Sequence, residues 1–207
     1  MAYVLSPDEI ETLQTYNIIA PRWKEQGAVA HWKDQHWYAW LLYIPRGGRV
    51  LDIGCGIAHD APLVLEDGLF YIGIDLSEKM LEIARDDLGE QIADGTVELH
   101  CMNMCAMTFP SSSFDAFRSV TTFMQVPRRN LPIAFAETYR VLKPQGVGFI
   151  SVPYGTNDGV WQPQGVEGRL LSVCYLDDEF AAALQKAGFH LLTLEVYSSM
   201  ILCIVQK

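Results

Sequence analysis

The stretch Arg49-Val50-Leu51-Asp52-Ile53-Gly54-Cys55-Gly56-Ile57-Ala58 decides the fold. It reads as a strand running straight into a glycine-rich turn, with a helix predicted over Ala58–Glu66. Glycines at such a turn tolerate positive φ and let backbone approach a ligand closely. The turn lies outside the carboxyl end of its strand, where open α/β sheets bind ligands. The next apolar run, Phe70–Ile74, ends on Asp75, 19 residues beyond Gly56. A carboxylate at the tip of a neighbouring strand can accept hydrogen bonds from both hydroxyls of a ribose. Together the loop and the acid point to an adenosine-bearing cofactor. Taken singly, each has a structural use. The glycines serve any tight strand–helix turn, Asp75 serves as a solvated acid at a helix start, and Asp52 orders the loop as a buried acid.

The dinucleotide fingerprint G-x-G-x-x-G/A does not fit here. Gly54-x-Gly56 is followed by Ile57, Ala58 and His59, so the third small residue comes one place early. Asp52, two residues ahead of the first glycine, lies outside that fingerprint too.

Working outward, further strands are predicted at Val97–Cys101, Phe114–Ser119, Val147–Val152, His190–Val196 and Met200–Val205. Several are continuous apolar runs, as strands covered on both faces require. Helices are predicted at Ser77–Leu88, Asn130–Leu142 and Asp177–Ala187. Ser77 stands where an N-cap belongs. Lys143-Pro144-Gln145-Gly146 and Lys186-Ala187-Gly188 are stop signals. This alternation implies an α/β fold, doubly wound about a mostly parallel seven-stranded sheet. Only Tyr197-Ser198-Ser199 separates the last two strands, which therefore form a C-terminal antiparallel hairpin. Residues 1–45 are expected as an N-terminal helical cap, 46–152 as the cofactor-binding core, 153–175 as a lid or acceptor loop, and 176–207 as the last helix and hairpin of one domain.

Composition supports a single globular domain. The chain has 207 residues, half of them hydrophobic and 19% charged, which excludes disorder. Fifteen Lys+Arg against 25 Asp+Glu give a net charge of −10, which disfavours nucleic acid and acidic membrane surfaces as partners. The longest apolar run, Trp37–Ile44, is far short of the ~20 residues of a span. The opening MAYVLSPDEI lacks the basic segment and apolar core of an export leader. The five cysteines form neither a disulfide framework nor a zinc pattern, so a cytoplasmic setting and no metal are expected.

At this point the residues resemble a known family. Val50-Leu51-Asp52-Ile53-Gly54-Cys55-Gly56 resembles the first motif of class I S-adenosylmethionine-dependent methyltransferases of the small-molecule type. Ile72-Gly73-Ile74-Asp75-Leu76-Ser77 resembles their second-strand motif, with Met80, Leu81 and Ala84 continuing its helix. Phe109-Pro110 and Ser113-Phe114-Asp115 resemble the segment that introduces strand four. Glu137 and Arg140-Val141-Leu142-Lys143-Pro144-Gln145-Gly146 resemble the RVLKPGG segment before strand five, and Tyr175–Phe189 the late helix ending in aGF. The resemblance spans about residues 14–195 in order.

The resemblance implies S-adenosyl-L-methionine as cofactor, S-adenosyl-L-homocysteine as product and a small molecule as methyl acceptor. It implies that Asp52, Gly54 and Gly56 line the methionyl and ribose part, that Asp75 holds the ribose hydroxyls, and that Leu76 lies beside the adenine. Asn103 and Met104 fall at the adenine edge, and Ser119 near the methionyl amino group. Tyr16-Asn17 and Ala20-Pro21 resemble the Y-D-x-x-A segment that folds over the cofactor. Ala58 and Gln145 stand where relatives have glycine, Asn103 where Asp is commoner, and Gln125 where many have the His of an L-x-H.

The acceptor side is less legible. Trp32, His36, Trp40 and Tyr43 share one helical face beside Trp37, Leu41 and Ile44. That face either packs on the sheet or walls a flat acceptor. The loop Pro153–Leu171 carries Tyr154, Asp158, Trp161 and Arg169. Methyl transfer from a sulfonium is a direct displacement, and a base is needed only for a nucleophile whose proton has a high pKa. Candidate bases are His31, His36 and Tyr154, with His59 and Asp158 behind them, but no catalytic residue is assigned. The alternative is a non-catalytic S-adenosylmethionine-binding or assembly protein that retains the fold. Acceptor and oligomeric state are left open.

Overall fold

The computed structural model describes residues 3–26 and 35–207. Its first half runs α1 (Pro7–Gln26), α2 (Gln35–Leu41), β1 (Arg49–Ile53), α3 (Ala61–Glu66), β2 (Phe70–Asp75), α4 (Glu78–Asp87), α5 (Gly89–Ala93), β3 (Val97–Cys101) and β4 (Phe114–Val120). The rest is α6 (Leu131–Val141), β5 (Leu142–Pro153), β6 (Gly159–Trp161), β7 (Leu170–Ser172), α7 (Asp177–Lys186), β8 (His190–Tyr197) and β9 (Met200–Gln206). The main sheet has seven strands ordered β3-β2-β1-β4-β5-β9-β8. β1 to β5 pair in parallel, and β9 and β8 close the edge antiparallel. The expected sheet and C-terminal hairpin are therefore present.

Local chemistry sets several boundaries. α1 starts at a capping box: Ser6 N donates to Glu9 Oε2 at 2.9 Å, and Glu9 N donates to Ser6 Oγ at 3.4 Å. Ser77 caps α4 by accepting from Met80 N at 3.1 Å. The helix expected from Ala58 starts only at Ala61, because Ala58 sits in the left-handed region at φ 52°. β5 begins at Leu142, earlier than the expected Val147. Its pairing with β4 jumps from Phe114–Leu142 to Ala116–Val147, so Lys143–Gly146 bulge outward. Lys143 Nζ then reaches Asp115 at 2.8 and 2.9 Å. Tyr197 joins β8, which leaves a two-residue turn, Ser198-Ser199, with both φ positive as a hairpin of this length prefers.

Alternation along the strands sorts side chains between two cores. Leu51, Ile53 and Phe117 face one core with Phe123, Phe135 and Phe180. Val50, Tyr71, Ala116 and Phe149 face the other, where Trp37 and Trp40 of α2 are buried. Trp37 and Trp40 thus pack on the sheet, Tyr43 is half exposed, and Trp32 lies outside the described residues. A third cluster holds Ile19 and Ala20 of α1 against Met80 of α4 and Val166 and Leu170 of the 153–175 segment. That segment contains a small antiparallel pair, β6 with β7, which had no clear sequence signature. It is clamped to α1: Leu171 N donates to Thr12 Oγ1 at 2.9 Å, Thr15 Oγ1 to Arg169 O at 3.1 Å, and Arg169 forks onto Glu11 at 2.9 and 2.8 Å.

Candidate functional site

The β1–α3 loop is tied to the tip of β2 by backbone. Gly54 N and Cys55 N both donate to Ile74 O, at 2.8 and 3.0 Å. Gly56 N donates to Asp75 Oδ2 and Ser77 N to Asp75 Oδ1, each at 2.8 Å. The two loop glycines have different physical reasons. At Gly54, φ 73°, a Cβ would fall 2.2 Å from Thr122 Cγ2, so β4's exit segment needs that space. At Gly56, φ 54°, nothing lies within 4 Å of the Cβ position. Gly56 is therefore the backbone surface that a ligand can approach.

A cavity of about 420 Å³ opens over this loop. Its walls are the 54–56 loop, residues 75–77 after β2, residues 102–105 after β3, and Thr121, Thr122, Gln125 and Val126 after β4. α1 closes it with Glu9, Thr12, Leu13, Tyr16 and Trp23. The volume lies within the usual range for small-ligand pockets. α1 is held in place by Asn17, whose Oδ1 accepts from Ser77 Oγ at 2.7 Å. Gln125 Nε2 donates to Tyr16 OH at 3.3 Å across the cavity wall.

Eight of the nine expected cofactor residues line this space: Asp52, Gly54, Gly56, Asp75, Leu76, Asn103, Met104 and Tyr16. Ser119 does not. It follows Phe117 onto the first core face and is fully buried there. Asn103 Oδ1 accepts from Cys105 N at 2.7 Å, an Asx turn that shapes the β3 exit. The candidate bases lie elsewhere. His36 contacts Glu195 of β8 at 3.8 Å, half-exposed Tyr154 bridges to Tyr175, and His31 falls outside the described residues. His59 does line the cavity and contacts Asp60 at 3.5 Å. Asp158 is engaged by Arg128 at 2.6 Å. No residue of the 153–175 segment lines the cavity. The segment lies against α1, and Trp161 is 53% exposed.

The sequence reading missed the charged centre of the wall. Arg118 of β4 lies beside Asp52 in the sheet register, and its Nη2 donates to Asp60 Oδ2 at 2.7 Å. Tyr71 OH donates to Asp52 Oδ2 at 2.6 Å, and the Arg118 guanidinium lies 5.2 Å from the Trp37 ring centre. Burial pushes the Asp52 carboxyl above the usual range against the pull of Arg118 and Tyr71. Burial likewise raises Asp75, opposed by the N–H groups of Ser77, Gly56 and Leu76. Burial, with Asp75 close by, lifts Tyr16, and burial moves the Cys105 thiol up to about 11. Neither is a base or thiolate near neutral pH.

These residues fit the implied cofactor. Gly56 presents open backbone, and Asp75, with one N–H on each oxygen, keeps acceptor capacity for ribose hydroxyls. Leu76, Met102 and Met104 supply apolar wall for a base. Gly56 and Asp75 would hold the ribose region.

Residues 50–146 match the family model described as a methyltransferase domain. The chain is 30% identical over 162 residues to 24-methylenesterol C-methyltransferase 2 of Oryza sativa subsp. japonica, covering 73% of this chain and 44% of that protein. The chain spans about half or less of the length of the curated relatives it matches first. Among solved structures it resembles the [4+2]-cyclase SpnF, with TM-score 0.76, 20% identity, and coverage of 99% of this chain and 97% of that one. It also resembles the Burkholderia thailandensis 1,6-didemethyltoxoflavin-N1-methyltransferase, solved with 1,6-didemethyltoxoflavin and S-adenosylhomocysteine. There the TM-score is 0.72 at 16% identity, over 100% of this chain and 92% of that one.

Proposed function

We propose that this chain, which carries a methyltransferase domain of the class I, S-adenosylmethionine-dependent type, transfers a methyl group to a small, partly apolar acceptor. The observation that carries the reading is the junction of Gly56 with Asp75 at 2.8 Å over the cavity. It sets an approachable backbone and a ribose-binding carboxylate side by side. S-adenosylmethionine, when bound, supplies an electrophilic methyl on a sulfonium. The chain's own residues bind and orient. Asp75 holds the ribose hydroxyls, Leu76, Asn103 and Met104 flank the adenine, and Tyr16 and Gln125 wall the opening where an acceptor enters. α1, braced by the β6–β7 segment, excludes water.

Direct displacement suits this wall. Among its described residues Tyr16 and Cys105 are held protonated, and Asp52 is engaged by Tyr71. Alignment at near-attack distance can supply most of the rate, with His59 the one histidine of the described residues on the wall. The acceptor then brings its own nucleophilic electron pair, a lone pair on a heteroatom or a π bond at carbon. The substrates in the relatives' names, a sterol and a toxoflavin precursor, are small molecules, in keeping with a small acceptor. The test is methyl transfer from labelled S-adenosylmethionine across a metabolite panel. A labelled small product supports the reading, and labelled nucleic acid with blank metabolites contradicts it.

A second reading is a binder or catalyst that keeps the cofactor site without methyl transfer. It is favoured by the likeness to a solved [4+2]-cyclase along nearly the whole chain. Tight S-adenosylhomocysteine binding without turnover on any acceptor would select it.

A further inference from the structure

We propose that Gln125 and Tyr16 select a neutral methyl acceptor that carries a hydroxyl, which donates to the Gln125 carbonyl and accepts from the Tyr16 hydroxyl. The inference rests on the small-molecule methyltransferase reading above and names the polar group of that acceptor. Gln125 closes the single 3-10 turn Phe123–Gln125 after β4 and lines the cavity. Its Nε2 donates to Tyr16 OH at 3.3 Å. Its Oε1 is buried and has no hydrogen-bond partner among the described residues. The Tyr16 oxygen receives the Gln125 bond and donates none among the described residues. Tyr16 keeps its proton, since burial and nearby Asp75 both disfavour the phenolate. The pair therefore holds one unused acceptor and one unused donor. Turning the carboxamide over exchanges the two roles and leaves the same complement.

The geometry says which group satisfies both. Oε1 shares its carbon with Nε2, which lies 3.3 Å from the Tyr16 oxygen, so one hydroxyl can reach both atoms at hydrogen-bond length. A carboxylate or an ether brings no donor and leaves Oε1 unpaired. An ammonium brings no acceptor and leaves the Tyr16 proton unpaired. Oε1 is closed to water, so leaving it unpaired costs the full desolvation of the group. Leu13 and Val126 line the same cavity, so the body of the acceptor meets hydrocarbon. The turn is fixed before a ligand arrives: Gln125 N donates to Thr122 O at 2.8 Å, and Val173 N donates to Met124 O at 2.9 Å. On the other side, the bond from Ser77 Oγ to Asn17 holds α1 in place beside Tyr16. Little of the pair has to be ordered on binding.

The test reads the hydroxyl with fluorinated probes, on protein saturated with S-adenosylhomocysteine so that no methyl is transferred. 4-Fluorophenol and 4-fluoroanisole differ by one methyl on the oxygen, and their binding is titrated by fluorine NMR. 4-Fluorophenol should bind the wild type about fivefold or more tightly than 4-fluoroanisole, the weight of a neutral hydrogen bond to a buried acceptor. 4-Fluorobenzoate and 4-fluorobenzylammonium should also bind more weakly than 4-fluorophenol. Gln125→Met keeps the length of the side chain and removes its carbonyl. It should bring the phenol-to-anisole ratio within about twofold, while S-adenosylhomocysteine affinity stays within about twofold of wild type. A wild-type ratio near one, tighter binding of either charged probe, or no binding of 4-fluorophenol overturns the proposal even if the variant fails to fold. An unchanged ratio in Gln125→Met overturns it too, and an S-adenosylhomocysteine loss of about tenfold in that variant assigns the pair to the cofactor instead. If the wild type does not bind S-adenosylhomocysteine, the cofactor reading fails and the proposal with it.

Discussion

Asp75 Oδ2 accepts the Gly56 N–H at 2.8 Å, so the carboxylate at the tip of β2 and the glycine loop after β1 form one unit. Two strands that are neighbours in the sheet thereby present one ligand surface, and a change at either residue reaches the other.

The burial of Asp75 has a pH signature. Its folded pKa is raised, so its contribution to stability is fully present below the unfolded value of about 3.9 and is lost as pH rises through the folded value. The stability difference between wild type and Asp75→Asn should therefore fall as pH rises above about 4. Denaturant titrations at stepped pH check this, and a difference that grows with pH reverses the sign.

Gly54 and Gly56 should separate into a packing and a ligand position. Gly54→Ala drives a Cβ into Thr122 and should cost about 1–3 kcal/mol. Adding Thr122→Ala should recover part of that loss. Gly56→Ala meets open space, costs about 1 kcal/mol of left-handed strain, and should weaken S-adenosylhomocysteine far more than it lowers the melting temperature. Melting and calorimetry on the four proteins decide it. This refines the expectation that both glycines serve backbone approach to the ligand.

Gln145 stands at φ 65° in the β5 bulge, a conformation that glycine adopts without strain. Its backbone bond to Lys207 O does not involve the side chain. Gln145→Gly should stabilise the fold by up to about 1 kcal/mol, read by thermal melting.

The 153–175 segment should act through α1. Gly168, φ 120°, has no room for a Cβ, which would lie 2.3 Å from Thr15 Oγ1. Gly168→Ala should lower the melting temperature and weaken cofactor binding by shifting the helix that carries Tyr16. Trp161→Ala, at an exposed position, should change stability by less than about 0.5 kcal/mol. A large cofactor effect from Trp161→Ala would place that side chain at the site after all.

The parallel sheet was legible because its strands are short apolar runs broken by glycines and acids, and because Asp75 follows one of them directly. The Ser6–Glu9 capping box that starts α1 stands in the sequence as S-x-x-E but went unread. Other features depend on tertiary contact. β6 and β7 are three residues each and carry no period, so only their contact with α1 defines them. Arg118 is a lone basic residue inside an apolar strand. Its partners Asp52 and Asp60 come from distant sequence, and only the sheet register brings them together. Ser119 lies off the cavity for the complementary reason, since one step along a strand turns a side chain to the other face. His36 and Trp40 shared a helical face as expected, but that face belongs to the sheet.

The most direct measurement is calorimetric titration of S-adenosylhomocysteine into wild type and Asp75→Ala. The account predicts one site per chain in the wild type, weakened by about 1.5–3 kcal/mol in the variant, with nicotinamide dinucleotides giving no heat in either. Equal affinity in the two proteins, or no binding to a folded wild type, would contradict it.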